Sequence, residues 1–261
     1  MSFYDLNKEE RQQLVDKINK EIVADIKQKK TNNIIKYFSD EDTYIRKTAY
    51  QSIGKIYKTN KSFEQLILKL LDNLFKFDNE KIRQTTINAA GEIGIIDFNS
   101  IEYLIEKGLF DEHHSVRNAV IGSIKKMGEK NPKPVLAFAK RFLHHPDKEI
   151  RREICHGIEL RGRTHPQDIL PLLKELQEDK TARVRNTLVH VIGQIAYKKG
   201  CLETVVKDLK TWSNKELVEN ALTEIIDVHN RYKNFATKTQ VEARLYIHNH
   251  FKNTFVDQAI D

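Results

Sequence analysis

The chain has 261 residues, 39% of them hydrophobic, and its 44 Lys and Arg against 37 Asp and Glu give a net charge of +7. This hydrophobic content is enough to bury a core and excludes a disordered chain, while ten glycines and five prolines are too few for the turns of an all-β sandwich. No apolar run reaches the ~18 residues of a membrane span, and two cysteines cannot form a disulfide framework, so we expect a cytoplasmic protein.

The first predicted element is a capping helix within residues 1–30. Asn7 and Glu10 have the spacing of a capping box, in which each side chain accepts a hydrogen bond from the backbone of the other residue. Apolar residues then follow on one side of the helix, namely Leu14, Ile18, Ile22 and Ile26. We expect this helix to cap the N-terminal end of the fold.

A β-branched residue followed by arginine then recurs at a nearly constant spacing. The arginines are Arg46, Arg83, Arg117, Arg151 and Arg185, separated by 37 residues and then three times by 34. Small or apolar residues lie three, six and seven places after each arginine, a spacing that puts them on one stripe of a helix. They are Ala49, Ser52, Ile53, Thr86, Ala89, Ala90, Val120, Ser123, Ile124, Ile154, Gly157, Ile158, Leu188, Val191 and Ile192. A weaker sixth copy, without the arginine, begins near Asn214.

Other helices are predicted between these copies, each starting at a turn or capping residue. They cover residues 62–77, 100–107, 132–143, 166–177 and 202–212, and a last helix covers residues 239–251. The repeated unit is therefore a helix, a short turn and a second helix, over residues 32–226. Residues 227–261 are predicted to form a C-terminal cap.

The start of the second helix resembles that of the HEAT-repeat family. It reads Asp42-Thr43-Tyr44-Ile45-Arg46 in one copy and Asp147-Lys148-Glu149-Ile150-Arg151 in another, and the glycine typical of the family follows as Gly54, Gly91 and Gly193. The resemblance implies an all-α fold, a right-handed α-solenoid of about six helical hairpins with capping helices, whose second helices line a concave face. We expect one continuous domain over residues 1–261.

In HEAT repeats the recurrent arginine usually bonds acidic side chains or carbonyl groups of adjacent repeats. The resemblance therefore implies a structural role for Arg46, Arg83, Arg117, Arg151 and Arg185, here called the arginine ladder.

Positions one and five residues after each arginine lie one turn apart on the same exposed face. This polar row consists of Lys47, Gln51, Gln84, Asn88, Asn118, Gly122, Arg152, His156, Asn186 and His190, and it contains no carboxylate. Such groups suit hydrogen bonding to phosphate oxygens or to an extended peptide. The alternative is a solvated polar face without a ligand.

Arginine is concentrated between residues 141 and 185. Arg161-Gly162-Arg163 falls where the fourth repeat passes into the fifth, and a turn made flexible by glycine would let two guanidinium groups clamp a phosphate. Solvated arginines on a loop are the alternative.

Residues 149–226 also resemble the alkylpurine DNA glycosylases built from HEAT-like repeats. The residues that carry this resemblance are Ile150-Arg151-Arg152, Arg161-Gly162-Arg163, Ile169-Leu170-Pro171-Leu172-Leu173, Asp179, Val184-Arg185-Asn186, Ile195-Ala196, Trp212 and Ala221-Leu222. It implies that the concave face grips duplex DNA by its backbone, with Arg151 or Arg152 as a contact. The catalytic residue stays unknown, because the single tryptophan, Trp212, lies at the end of the sixth repeat's first helix, where it cannot place an aromatic surface beside a catalytic carboxylate. Glu92 or Glu159 is conceivable as the acid, and plain solvation of an exposed helical glutamate is the alternative.

Other chemistries leave no motif in the sequence. The glycines form no phosphate-binding loop, and the ten histidines have no local metal-ligand spacing, so we expect no cofactor and no metal. The leading hypothesis is a monomeric protein that binds the backbone of duplex DNA and is related to alkylated-base repair, with or without glycosylase activity. The alternative is a non-enzymatic scaffold that binds a protein partner on the concave face. A different enzyme is the third class, and we expect no membrane partner.

Overall fold

The computed structural model describes residues 2–251, and all regular structure in that range is helical. The helices are α1 (Lys8–Gln28), α2 (Asn32–Phe38), α3 (Thr43–Thr59), α4 (Glu64–Leu74), α5 (Glu80–Gly94), α6 (Glu102–Leu109), α7 (His114–Lys130), α8 (Pro132–Phe142), α9 (Lys148–Gly157), α10 (Glu159–Gly162), α11 (Pro166–Lys174), α12 (Ala182–Gln194), α13 (Cys201–Leu209), α14 (Lys215–Arg231) and α15 (Gln240–His250). Short 3₁₀ helices cover Phe3–Asp5 and Lys61–Phe63. The all-α class predicted from the sequence is confirmed.

The chain folds into two compact units, Met1–Val135 and Leu136–Asp261. In the first unit α1, α3, α5 and α7 pack against one another in succession, and α2, α4 and α6 precede them as the first helices of hairpins. In the second unit α9, α12, α14 and α15 pack in succession, with α11 and α13 as first helices. With α8 preceding α9, this gives six helix pairs along the chain between α1 and α15, as the repeat pattern predicted.

Side-chain caps fix where most of the second helices begin. The residue four places before the ladder position accepts a hydrogen bond from a backbone N–H of the first helical turn, which has no partner inside the helix. This holds for Asp42, Asn79, His113, Asp147 and Asn214. Thr181, before α12, makes no such bond. The predicted Asn7–Glu10 capping box of α1 is confirmed.

The predicted stripe residues form the core of each unit. All fifteen of them are buried, from Ala49, Ser52 and Ile53 on α3 to Leu188, Val191 and Ile192 on α12. Each large aliphatic side chain removed from water in this way stabilises the fold by roughly 1.5–3 kcal/mol. The periodicity of the sequence therefore identified the packing face correctly.

Neighbouring second helices approach each other closely at the repeated glycine. A Cβ added to Gly91 would lie 2.5 Å from Oγ of Ser123 on α7, and one added to Gly193 would lie 2.5 Å from Cγ of Glu224 on α14. A Cβ at either position would therefore force a neighbouring side chain to move.

The predicted elements and the structure differ in two places. Helix α2 was not predicted; it has seven residues and no side-chain cap at Thr31. The fourth second helix is interrupted at Ile158, so that α10 follows α9 as a separate short helix. The predicted C-terminal cap is described only as far as residue 251, and its last ten residues lie outside the described part.

No helix among residues 2–251 has the length and apolar character needed to cross a membrane.

Candidate functional site

The ladder arginines hold the loops that precede the second helices. Arg117 donates to the carbonyl oxygens of Asp111 and Glu112 at 2.7 and 2.9 Å. Arg46 and Arg185 bond carbonyl oxygens at the equivalent place before their own helices. These bonds connect each helix to its own turn.

Two of these arginines also connect successive repeats within a unit. Arg83 donates to both carboxylate oxygens of Asp111 at 2.8 and 3.1 Å, and Arg151 does the same to Asp179 at 2.6 and 3.1 Å. Burial alone would raise the pKa of Asp179, but hydrogen bonds from Arg151 and from the backbone of Thr181 lower it instead. The contacts are of the kind that the HEAT resemblance implied.

The polar row of the first unit is made of amide and lysine groups. Lys47, Gln51 and Asn118 are exposed, whereas Gln84 and Asn88 are half-buried. The amide of Gln84 donates to the backbone carbonyl of Ser115 at 3.3 Å. The exposed members can therefore reach a ligand, while Gln84 also bridges α5 to α7.

On α3 the row continues as a stripe of cations. Lys47, Gln51, Lys55 and Lys58 are all exposed and lie four, four and three residues apart, which places them on one helical face. Within residues 2–251 no carboxylate pairs with these three lysines, here called the lysine stripe. Lys55 and Lys58 lie beyond the two row positions predicted for each helix, although their spacing is visible in the sequence.

In the second unit, basic side chains of the row lie beside carboxylates. Nε of Arg152 donates to Glu149 at 2.9 Å, and Nδ1 of His190 lies 3.6 Å from Oε1 of Glu224. Asn186 is exposed on the same face. The row contains no carboxylate, as its sequence showed, but acids at neighbouring positions balance its charge.

The expected glycine-flexed turn at Arg161-Gly162-Arg163 is wrong. Arg161 and Gly162 end the helix α10, and a Cβ on Gly162 would lie 2.3 Å from Cδ1 of Ile169, so the glycine serves close packing. Arg161 donates to Asp168 at 2.7 Å, and Arg163 donates to Glu159 at 2.5 Å. These guanidinium groups are therefore held by carboxylates of their own unit.

The two conceivable acids are both engaged by cations. Glu92 on α5 is half-buried and accepts a hydrogen bond from Lys126. Glu159 is only 1% exposed, so the expectation that it is an exposed, solvated residue is wrong. A third carboxylate of the same kind, Glu224, accepts a hydrogen bond from Arg231. It was not predicted because its copy lacks the arginine that marks the register.

The single tryptophan is bonded to a carboxylate of its own helix turn. Nε1 of Trp212 donates to Oδ1 of Asp208 at 2.9 Å, one helical turn before it. The indole is 1% exposed, however, and offers no surface against which a base could stack. Cys155 is likewise buried, which raises the pKa of its thiol and disfavours the nucleophilic thiolate.

Three potential metal ligands meet at the row of the second unit. His156 on α9, Glu159 on α10 and His190 on α12 offer ligand atoms that all lie within 4.8 Å of one another. Nε2 of His156 is 3.2 Å from Oε2 of Glu159, and the two imidazole rings meet edge to face with centroids 5.9 Å apart. We call these residues the imidazole cluster.

Comparison with known proteins places the fold. No family model and no curated protein matches the chain. The crystal structure of AlkD2 from Streptococcus mutans is similar, with a TM-score of 0.55 and 18% identity over 75% of this chain and 97% of that one. The structure of smu.31 from Streptococcus mutans UA159 is similar with a TM-score of 0.52 and 17% identity, over 78% of this chain and 97% of that one. The chain therefore shares the helical-repeat fold of these two structures.

Proposed function

We propose that the protein binds the phosphate backbone of duplex DNA through the polar row of its first unit. The observation that carries the proposal is the lysine stripe, in which Lys47, Lys55 and Lys58 present three charges along one face of α3. The exposed amides of Gln51 and Asn118 lie in the same row. Lysine side chains neutralise phosphate groups, and amide side chains donate hydrogen bonds to phosphate oxygens. Neither contact requires a particular base sequence.

Two further facts favour a nucleic acid as the ligand. Residues 149–226 resemble alkylpurine DNA glycosylases, and the fold is similar to that of AlkD2. The net charge of +7 also favours an anionic partner, although the charges are interspersed along the chain.

We do not extend the proposal to base excision by the candidate acids. Glu92 is paired with Lys126, and Glu159 is buried against Arg163. A carboxylate that must stabilise positive charge on a sugar needs to face that sugar, and in this fold both carboxylates face protein cations. The protein is therefore expected to bind alkylated duplex DNA without releasing a base.

Fluorescence anisotropy with a labelled duplex across a salt series tests the binding. Replacing Lys47, Lys55 and Lys58 together by Ala should weaken binding and reduce the slope of log affinity against log salt by about 2.7, since each lost phosphate contact removes about 0.9. The matched control replaces Lys27, Lys61 and Lys69, which are exposed, lie outside α3 and carry the same total charge. It should leave most of the slope in place.

Equal slopes in the two triple variants would mean that net charge, and not the lysine stripe, determines the affinity. Absence of any binding at low salt would overturn the proposal. Chromatography of the supernatant from alkylated duplex tests the second part, and release of a modified purine that is lost in Glu159→Gln would contradict the assignment of that residue.

Binding of a protein partner is the second candidate, and a groove in the first unit favours it. The groove has a volume of about 620 Å³ and is lined by Phe77, Glu106, Lys107 and Phe110 among others. The two phenylalanines are 38% and 52% exposed, and exposed aromatic side chains are frequent anchors of protein interfaces. If the protein does not bind DNA, loss of partner capture on replacing Phe77 and Phe110 by Ser would support this function.

A further inference from the structure

The imidazole cluster of the second unit has the composition and spacing of a metal site. We propose that His156, Glu159 and His190 bind a zinc ion, with the fourth coordination position left to water. This proposal goes beyond DNA binding. It also differs from the expectation of no metal, which was based on the lack of a local ligand motif in the sequence.

The distances within the cluster fit zinc. Zinc bonds imidazole nitrogen and carboxylate oxygen at about 2.0–2.2 Å, so tetrahedral ligand atoms stand about 3.3 Å apart. Nε2 of His156 and Oε2 of Glu159 are already 3.2 Å apart. The side chain of His190 is 43% exposed, so its ring has room to rotate the remaining distance toward the other two.

The surrounding residues orient the ligands. Arg163 donates two hydrogen bonds, at 3.0 and 2.5 Å, to Oε1 of Glu159, which fixes the carboxylate with Oε2 on the side of His156. Nδ1 of His190 lies 3.6 Å from Oε1 of Glu224, just beyond hydrogen-bond range, and a ring rotation that closes this distance would leave Nε2 as the metal ligand. Carboxylates that orient ligating histidines in this way are typical of zinc sites.

The repeat explains how the ligands come together. His156 and His190 occupy the same row position in successive second helices, 34 residues apart. Glu159 follows His156 by three residues, a spacing that brings the two side chains together. Two imidazoles and one carboxylate are a ligand set of zinc sites that keep a position open for water or substrate.

Isothermal titration of the full-length protein with zinc chloride, after treatment with a chelator and without DNA, tests the site. We expect a single tight equivalent in the wild type. His190→Ala and His156→Ala should each weaken it at least tenfold, and Glu224→Gln should weaken it by about tenfold through loss of ligand orientation. The matched control, His248→Ala with His250→Ala, also removes two exposed imidazoles of the second unit and should retain the equivalent.

Two results would overturn the proposal: no tight equivalent in the wild type, or the same equivalent in the His156→Ala, His190→Ala double variant as in the control. Because Glu159 is buried and its replacement risks unfolding, the decisive variant is His190→Ala, with folding checked by circular dichroism. Cobalt(II) gives a second readout, since a four-coordinate site produces strong visible absorption in the wild type that His190→Ala should abolish. Zinc binding without DNA binding would support the zinc site and contradict only the proposed function.

Discussion

The two units contain the same inter-repeat contact but different outward faces. Arg83 with Asp111 in the first unit and Arg151 with Asp179 in the second unit are bidentate pairs whose partners are 28 residues apart in both. At the row position next to Arg83 and Arg151, by contrast, the first unit has Gln84 and the second has Arg152.

This difference separates the residues that maintain the repeat from those that can vary. The paired aspartates are 6% exposed in both units, so their packing leaves little freedom for substitution. At the row position five residues after the arginine, the side chains change from amides in the first unit, Gln51 and Asn88, to imidazoles in the second, His156 and His190. We therefore expect the ladder to determine stability and the row to determine what each unit binds.

The largest expected effect is the loss of a ladder arginine. Arg83→Ala and Arg151→Ala each leave a buried carboxylate without its cation and should cost about 3–5 kcal/mol of unfolding free energy, measured by urea denaturation. Similar losses in both variants would support the equivalence of the two pairs. Arg46→Ala is the control, because Arg46 bonds carbonyl groups and Thr43 but no carboxylate in the part of the chain that the structure describes, and its loss should be smaller.

A loss confined to one of the two variants would show that the shared geometry does not carry the same energy in both units. If neither variant lost unfolding free energy, the structural role of the ladder would be contradicted.

The Arg151–Asp179 pair should also make stability depend on acid. The pKa of Asp179 is lowered in the fold, so the pair's contribution is fully present above the unfolded pKa of about 3.9 and is lost as pH falls through the folded value. The gap in urea midpoint between wild type and Arg151→Ala should therefore narrow below about pH 4. A gap that stays constant with pH would contradict the ionic origin of the contact.

A smaller effect is expected where second helices meet at glycine. Gly91→Ala places a methyl group 2.5 Å from Oγ and 3.3 Å from Cα of Ser123, which should cost about 1–3 kcal/mol. Gly193→Ala meets mainly the side chain of Glu224, which can move, and should cost less. Gly122→Ala is the control, because nothing lies within 4 Å of its added Cβ, and it should stabilise the helix by about 0.5–1 kcal/mol.

Equal costs at Gly91 and Gly193 would show that the mobility of Glu224 does not relieve the contact. Urea midpoints of the three variants are enough to decide this.

Repetition is what made the fold predictable. The spacing of the arginines gave the register, and the register gave the buried stripe, because the same helical face packs in every copy. The short helix α2 was missed since it has no cap and only seven residues. The imidazole cluster was missed for a different reason: its two histidines are one repeat apart, so no local motif joins them, and only the alignment of successive second helices brings them together. Ion pairs such as Arg163 with Glu159 were equally hidden, because charge counts do not tell which groups meet.

The smallest expected effect concerns a left-handed residue in each unit. Lys29 ends α1 at φ 55°, whereas the second unit uses Gly200 at φ 74° before α13. A residue with a Cβ destabilises the folded state by about 1–2 kcal/mol in this conformation. Glycine avoids this cost, but its greater freedom in the unfolded chain offsets part of the gain. Lys29→Gly should therefore gain about 0.5 kcal/mol, and Gly200→Ala should lose about 1 kcal/mol, in thermal unfolding of the two variants. A loss in Lys29→Gly would mean that the lysine side chain contributes more to the end of α1 than its backbone conformation costs.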